Sequence, residues 1–193
     1  MLDAAARVFY ERGYMNATVE NVAEELGILK GSLYHYIDSK EEVLFRLLDE
    51  THDGVHGILE EVAARSASEP PLARLHEYVS KQVEFNMDNL VRVSVYYRDI
   101  GCLSEERLEL LLARRRDHDK FVRGLIGEAQ ERGEIDAEAD PGALSKCVFA
   151  TIIWTYRWYS PRRDRDRGIA PRCADFVIAG LVGKAHWNHP KGE

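Results

Sequence analysis

One short stretch of the sequence, LGILKGSLYHYIDSKEE at residues 26–42, concentrates side chains that hydrogen-bond and stack. Two lysines, two serines, a histidine and two tyrosines fall between residues 30 and 40. Cations and hydroxyl groups of this kind contact nucleic-acid phosphates, and longer donors reach base edges. The whole chain of 193 residues nevertheless carries a formal net charge of −7. The stretch therefore predicts a local nucleic-acid surface on an otherwise acidic protein.

Two short helices are predicted to position this stretch. Thr18 is a suitable N-cap for an amphipathic helix at residues 19–26, and Gly27 suits the turn that ends it. A second helix should begin near Lys30. In a helix-turn-helix motif this second helix enters the major groove, which admits one helix. Gly31 and Ser32 are small enough for the backbone to approach DNA closely.

The rest of the chain is also predicted to be helical, because apolar residues recur at helical spacing and no strand pattern is convincing. The sequence S-x-x-E from Ser39 to Glu42 predicts the capped start of a longer helix. With the two short helices, nine helices are expected, and residues 65–71 are expected to form a linker. The remaining predicted helices cover residues 2–12, 40–64, 72–87, 90–100, 104–132, 141–159 and 172–186.

Residues 2 to 45 resemble the DNA-binding domain of the TetR family of bacterial transcriptional regulators. The segments that carry the resemblance are LDAAARVFYERGY, TVENVAEELGI and KGSLYHYIDSKEEV. The resemblance implies an all-α fold, with a helix-turn-helix domain at residues 1–46 and a ligand-binding and dimerisation domain at 47–193. It also implies DNA contacts through these residues: Thr18, Lys30, Gly31, Ser32, Tyr34, His35, Tyr36 and Lys40.

The predicted DNA-binding domain is itself acidic. Residues 1–46 hold five Lys or Arg against eight Asp or Glu, a net charge of −3. Family members usually carry a basic stretch before the first helix, so either the start is truncated or a shorter arm suffices. We expect few phosphate contacts and a shallow dependence of DNA affinity on salt.

A homodimer is expected, because one such domain reads one half of a palindromic operator. The last two long helices are the candidates for the dimer interface. The helix at 141–159 is apolar on most sides, which indicates burial on two faces. The final helix, ADFVIAGLVGKA, mixes large apolar residues with alanines and glycines that permit close helix contact.

A small-molecule inducer is expected to bind among aromatic residues of the larger domain. The strings WTYRWYSP and VYYRDIGCLSEERLELLLARRRDHDKFVRGLI resemble regulators of fatty-acid and sterol degradation, whose inducers are acyl-CoA thioesters. Cations would hold the phosphates of the CoA, with Arg162, Arg163 and Arg165 as further candidates. The expected ligand-binding residues are Phe85, Tyr96, Tyr97, Arg98, Phe121, Arg123, Phe149, Trp154, Arg157 and Trp158.

Other classes of protein fit the sequence less well. No G-x-S-x-G, P-loop or G-x-G-x-x-G motif is present, so no enzyme activity and no cofactor are expected. His52 and His56 could bind a metal ion, but no third ligand is evident and no metal site is predicted. We expect a cytoplasmic repressor with no membrane association. The alternatives are a TetR-type regulator of an efflux or stress gene that responds to an aromatic compound, and a helical adaptor that binds no DNA.

Overall fold

The computed structural model describes residues 1–64, 69–164 and 167–183, and every regular element in these residues is helical. All nine helices predicted from the sequence occur, and the short α9 is an addition. The helices are α1 Leu2–Arg12, α2 Val19–Leu26, α3 Lys30–Leu33, α4 Lys40–Ala63, α5 Pro71–Asp88, α6 Leu90–Asp99, α7 Glu105–Glu131, α8 Pro141–Trp158, α9 Pro161–Asp164 and α10 Ile169–Val182, with one 3₁₀ turn at Ile100–Cys102. The prediction of an all-α fold is confirmed. Within the described ranges, no helix combines the length and apolar character that crossing a membrane requires.

Side-chain caps fix the starts of α2 and α4. Thr18 Oγ1 accepts a hydrogen bond from the Asn21 amide at 3.2 Å, and Asn21 Oδ1 accepts one from the Thr18 amide at 3.1 Å. Gly27 ends α2 with a left-handed φ of 67°. Ser39 Oγ accepts from the Glu42 amide at 3.1 Å at the start of α4. These caps satisfy amide groups that have no partner within their helices.

The second helix of the predicted helix-turn-helix is shorter than expected. Leu33 and Ile37 are four residues apart, a spacing that predicts a helix extending to Ile37. Helix α3 ends at Leu33, and the Tyr36 amide donates to the Leu33 carbonyl oxygen at 2.9 Å in a tighter turn. Tyr34, His35 and Tyr36 therefore lie in this turn rather than on the helix. Ile37, which follows the turn, is buried in the core and anchors it.

The linker expected at residues 65–71 does not extend to Pro71. Pro70 is the N-cap of α5 and Pro71 is its first residue, where the missing amide removes no hydrogen bond. For the same reason Pro171 is tolerated in the first turn of α10, which begins at Ile169 and not at Arg172. Parts of other predicted features lie outside the described residues: linker positions 65–68, Arg165, and the end of the last helix with His186.

Two hydrophobic cores share two long helices, α4 and α7. The first core joins α1–α3 and the start of α4, and it is closed by residues of α6 and α7 that include Val95, Tyr96 and Leu111. The second core is formed by α5, α7, α8 and α10 with the end of α4. Helix α4 has 24 residues, which corresponds to a length of about 36 Å. It is therefore a continuous connection between the two cores.

Helices α4 and α5 are in close contact at a glycine. A Cβ atom placed on Gly54 would lie 2.6 Å from the ring of Phe85 on α5. Since carbon atoms in van der Waals contact are about 3.5–4.0 Å apart, only glycine fits here without a shift of the ring.

Candidate nucleic-acid interface and ligand cavity

The turn between α2 and α4 presents an open surface on a packed base. Leu33 and Ile37 are buried against the first core. On the opposite side, Leu29 is 80% exposed and Tyr36 is 70% exposed. Apolar and aromatic side chains this exposed are available for contact with another molecule.

Lys30 lies at the edge of this surface. Its ammonium group forms an ion pair with Glu20 of α2 and lies 5.7 Å from the centre of the Tyr34 ring. The hydrogen bond to Glu20 raises the pKa of Lys30, and the same bond lowers the pKa of Glu20. The lysine therefore remains charged where DNA would approach.

The small residues that follow Lys30 leave the backbone accessible. Gly31, Ser32 and His35 are exposed. A Cβ atom placed on Gly31 would meet nothing within 4 Å, so the packing of the protein does not require glycine at this position. Thr18 is also exposed, with its hydroxyl group engaged in the cap of α2.

Lys40 has its main contacts inside the domain. Its ammonium group donates to the carbonyl oxygens of Tyr14 at 2.8 Å and Ala17 at 2.9 Å, and it lies 4.3 Å from the centre of the Tyr14 ring. These contacts tie the start of α4 to the loop after α1. The structure thus gives Lys40 a structural role that the sequence did not predict.

Two acidic residues of this domain face the larger part of the chain. Asp3 pairs with Arg92 of α6 at 2.7 Å, and Arg92 holds the pKa of the Asp3 carboxyl below its usual value. Glu41 accepts from the amide of Ser104 at 3.0 Å and lies 3.5 Å from Arg107. Cations from the larger part of the chain thus neutralise carboxylates of residues 1–46.

A cavity of about 620 Å³ lies between α4, α5, α6, α7 and α8. Its walls are mostly apolar or aromatic, and a few polar groups converge on it. Pockets of this size and character commonly bind small molecules. The amide of Asn86 is already used, since its Nδ2 donates to the Ile152 carbonyl oxygen at 3.0 Å. Three cations, Arg115, Arg116 and Lys146, also line the cavity.

The structure brings three of the ten expected ligand-binding residues to this cavity: Tyr96, Tyr97 and Phe149. Burial strongly raises the pKa of the Tyr97 hydroxyl, which is therefore neutral at physiological pH. The cationic lining comes from Arg115, Arg116 and Lys146. The sequence did not single these out, because a run of arginines on a helix is usually a solvated face.

Three expected ligand-binding residues lie in packed positions elsewhere. Phe85 packs against Gly54, as described above. Phe121 contacts Tyr78, with ring centres 5.4 Å apart, because its helical position faces the second core. Arg98 points towards α1, where backbone carbonyl groups accept its hydrogen bonds.

The other four lie at the surface. Arg123 pairs with Asp119 at 2.7 Å, since the two residues are one helical turn apart. Trp154, Arg157 and Trp158 lie on the exposed face of α8 because the opposite face of this helix packs into the second core. Of the candidate loop cations, Arg163 pairs with Asp164 at 3.0 Å, and neither Arg162 nor Arg163 lines the cavity.

Three histidines cluster at one side of the cavity. His52 and His56 of α4 lie beside His118 of α7, whose ring centre is 5.2 Å from that of His52 and 5.7 Å from that of His56. Burial lowers the pKa of His52 to about 3 and that of His118 to about 4, so both rings are neutral at physiological pH. The sequence could have suggested His118, because it interrupts a buried apolar stripe that includes Leu111 and Val122.

An exposed apolar surface covers the outer sides of α8 and α10. Trp154 is 60% exposed and Phe176 is 71% exposed, and Ala150 and Ala179 extend the surface. Val148, Ile152 and Thr155, on the opposite face of α8, are buried within the protomer. Exposed aromatic residues on two packed helices are typical of an interface between subunits.

Models of two protein families match the chain. Residues 1–47 match the bacterial regulatory proteins of the tetR family, and residues 68–181 match the tetracyclin repressor-like C-terminal domain. The HTH-type transcriptional repressor KstR2 of Mycobacterium tuberculosis is 28% identical over 162 residues, which cover 83% of this chain and 80% of that protein.

Solved structures agree in fold. PfmR, a TetR family regulator from Thermus thermophilus, superposes with a TM-score of 0.84 at 24% identity, covering 95% of this chain and 97% of PfmR. AibR in complex with isovaleryl coenzyme A and operator DNA gives a TM-score of 0.81 at 23% identity, covering 94% of this chain and 95% of AibR.

The order of helices and the two family matches indicate the same protein family. Members of this family bind operator DNA through the N-terminal helix-turn-helix, respond to ligands through the C-terminal domain, and form dimers. The chain belongs to the TetR family of bacterial transcriptional regulators.

Proposed function

We propose that the protein is a repressor that binds a palindromic operator as a homodimer and is released from it by a small-molecule inducer. Residues 1–46 would form the DNA-reading unit, and residues 47–193 the ligand-binding and dimerisation unit. One observation supports this proposal best. Helix α4 begins shortly after the exposed turn at residues 34–36, and further along the same helix its residues form part of the cavity wall. Such a protein acts on DNA in the cytoplasm and catalyses no reaction.

We propose an acyl-CoA thioester as the inducer. The apolar walls suit an acyl chain, and Arg115, Arg116 and Lys146 suit the phosphates of CoA. Two relatives point the same way: KstR2 is described as a ketosteroid transcriptional regulator, and AibR has been solved with isovaleryl coenzyme A. In this protein the acyl group would lie against Tyr96, Tyr97 and Phe149.

Inducer binding would act through α4. A ligand that spreads α4 from α7 changes the tilt of α4 and therefore the spacing of the two recognition turns in the dimer. Allosteric coupling of this kind is typically about 1–3 kcal/mol, or about 5–150-fold in affinity. In the structure, Arg114 of α7 forms ion pairs with Asp49 and Asp53 of α4, and a ligand that spreads the two helices would have to break these pairs.

Titration onto DNA from the upstream region of its own gene tests the proposal, with fluorescence anisotropy as the readout and a panel of acyl-CoA thioesters as inducers. Specific binding that one thioester releases supports it. Arg115→Gln should weaken the response to that thioester but not to the matching acyl-pantetheine, which lacks the nucleotide phosphates. Arg162→Gln, at a cation away from the cavity, is the control. Absence of DNA binding would overturn the repressor function. Binding that no thioester alters would overturn the choice of inducer.

A regulator of an efflux or stress gene that responds to an aromatic compound is the second candidate. The aromatic side chains of Tyr78, Tyr96, Tyr97 and Phe149 on the cavity wall favour it. Release of DNA by planar aromatic compounds, with no response to any acyl-CoA, would support this alternative.

A further inference from the structure

Three histidines from two helices converge in the ligand-binding part of the chain. His52 and His56 are one turn apart on α4, and His118 reaches them from α7. One ring nitrogen of each histidine lies within 4.8 Å of those of the other two. Nothing else described in the protein requires three imidazole groups at this place.

Each of these rings has one buried nitrogen with no hydrogen-bond partner among the described residues. The three atoms are Nε2 of His52, Nδ1 of His56 and Nε2 of His118. Buried polar atoms without a partner are uncommon, and each costs about 1–3 kcal/mol in lost hydration. A group of three such atoms therefore indicates a ligand that all three share.

The second nitrogen of each ring faces a protein oxygen. Nδ1 of His118 lies 2.7 Å from the hydroxyl group of Tyr78, and Nδ1 of His52 lies 3.4 Å from that of Tyr96. Nε2 of His56 lies 3.7 Å from the carboxylate of Glu60. Histidines that bind metals usually donate their other N–H to such a group, which fixes the tautomer and the direction of the free lone pair.

We infer that His52, His56 and His118 bind one divalent transition-metal ion of the zinc type, with a fourth coordination position open to the cavity. Three imidazole ligands and one open position form a common arrangement for zinc. Bonds of 2.0–2.1 Å in a tetrahedral site place ligand nitrogens about 3.3 Å apart, so small ring rotations would complete the site. His52 and His118 both line the cavity, which gives the open position access to a bound molecule.

The charges around the cluster are compatible with a bound cation. Metal binding requires imidazole nitrogens with a free lone pair, and each of the three rings has one buried nitrogen without a hydrogen-bond partner among the described residues. Arg114 lies close enough to disfavour a further positive charge, but its own charge is matched by Asp49 and Asp53. Arg115 lines the same cavity as His52 and His118, so an anionic fourth ligand would have a cation nearby.

The ion would join α4 to α7. If the proposed function holds, occupancy of the site would restrain the tilt of α4, and a ligand group that coordinates the ion would act directly on this connection. This regulatory consequence rests on the proposed function, whereas the metal site itself does not.

Cobalt(II) added to the chelator-treated, tag-free full chain tests the metal site, because tetrahedral Co²⁺ absorbs strongly in the visible range. We expect such absorption to saturate at about one ion per protomer, to be displaced by Zn²⁺, and to accompany a rise in melting temperature with either ion. His118→Gln and, separately, the half-exposed His56→Gln should each abolish the absorption and the rise. Using two variants guards against a folding defect in one of them.

Two controls identify the site. His76→Gln removes a histidine that pairs with Asp175 at the surface, and it should leave metal binding unchanged. The double variant His186→Gln and His189→Gln should also retain the tetrahedral spectrum, which excludes the C-terminal histidines. Absence of tetrahedral absorption, or a spectrum that persists in both His118→Gln and His56→Gln, would overturn the inference. Because these measurements contain no DNA, they can fail while the repressor function holds, and the reverse is also possible.

Discussion

The guanidinium group of Arg98 on α6 donates to the carbonyl oxygen of Phe9 on α1 at 2.5 Å. It also donates to the carbonyl oxygen of Tyr10 at 3.2 Å. The last carbonyl groups of a helix have no partner within that helix, and Arg98 supplies a donor to Tyr10 from outside. For Phe9 it is a second donor, because the Phe9 carbonyl oxygen also accepts from the Gly13 amide at 2.9 Å. Asp99, which is buried, pairs with Arg98 at 2.8 Å and holds it in place. The DNA-binding part of the chain is thus fixed to the helix that also carries two cavity tyrosines.

Replacing Arg98 by alanine should destabilise the protein. The change removes both hydrogen bonds to α1 and leaves the buried carboxylate of Asp99 without its cation. We expect a loss of about 1–3 kcal/mol in the free energy of unfolding, measured by urea denaturation of matched protein concentrations. Arg132→Ala, at an exposed position at the end of α7, is the control and should change stability by no more than about 0.5 kcal/mol. Equal stability of the two variants would contradict this role of Arg98.

Replacing Lys40 by methionine should lower stability more than it changes the salt dependence of DNA binding. Methionine preserves the apolar length but cannot donate to the carbonyl groups of Tyr14 and Ala17. A phosphate contact would instead appear as a decrease of about one in the salt slope of DNA affinity. Tyr36→Ala is the comparison, because this exposed side chain should affect DNA affinity and not melting temperature. A lower salt slope at unchanged melting temperature would show that Lys40 acts as a phosphate contact.

Replacing Gly31 by alanine should weaken DNA binding without lowering the stability of the fold. The added methyl group meets no protein atom within 4 Å, so the melting temperature should stay the same or rise slightly. A DNA backbone close to α3 would be displaced by that group, and we expect at least a tenfold loss of affinity, or about 1.4 kcal/mol. Gly57→Ala on α4 also meets nothing within 4 Å and serves as the matched control. Full affinity in Gly31→Ala would exclude close approach of DNA at this turn.

Replacing Phe176 by aspartate should dissociate the dimer. A carboxylate placed in the apolar surface of α8 and α10 would have to be desolvated on association, without a partner. We expect monomers by analytical ultracentrifugation, together with weaker binding to a palindromic site. Leu110→Asp, at another exposed apolar residue on α7, should leave the dimer intact. Dissociation by both variants would mean that the effect is not specific to this surface.

The sequence was informative wherever a local signal decided the structure. Thr18, Gly27 and Ser39 set their helix boundaries through hydrogen bonds or φ angles that involve near neighbours, and these boundaries were predicted correctly. The end of α3 was not, because it depends on the insertion of Ile37 into a core that is built from distant helices.

Long-range contacts account for the remaining differences. Arg98 and Lys40 have residue types that suit phosphates, but backbone carbonyl groups in the fold accept their hydrogen bonds. His118 lies 62 residues or more from His52 and His56, and no spacing rule connects them. The sequence therefore predicted an aromatic region in the larger domain but not which of its faces enclose the cavity.

The close approach at Gly54 has a mechanical consequence. Contact with Phe85 makes this the natural pivot of α4, and the helix begins 14 residues before it, which corresponds to about 21 Å. A rotation of about 9° around the pivot moves the start of α4 by about 3.3 Å, which is close to the spacing of about 3.4 Å between successive base pairs. His52 and His56 lie on either side of the pivot, within about 3 Å of it along the helix. A displacement of less than 1 Å there would therefore be enlarged several-fold at the DNA, to the scale of a shift in register by one base pair.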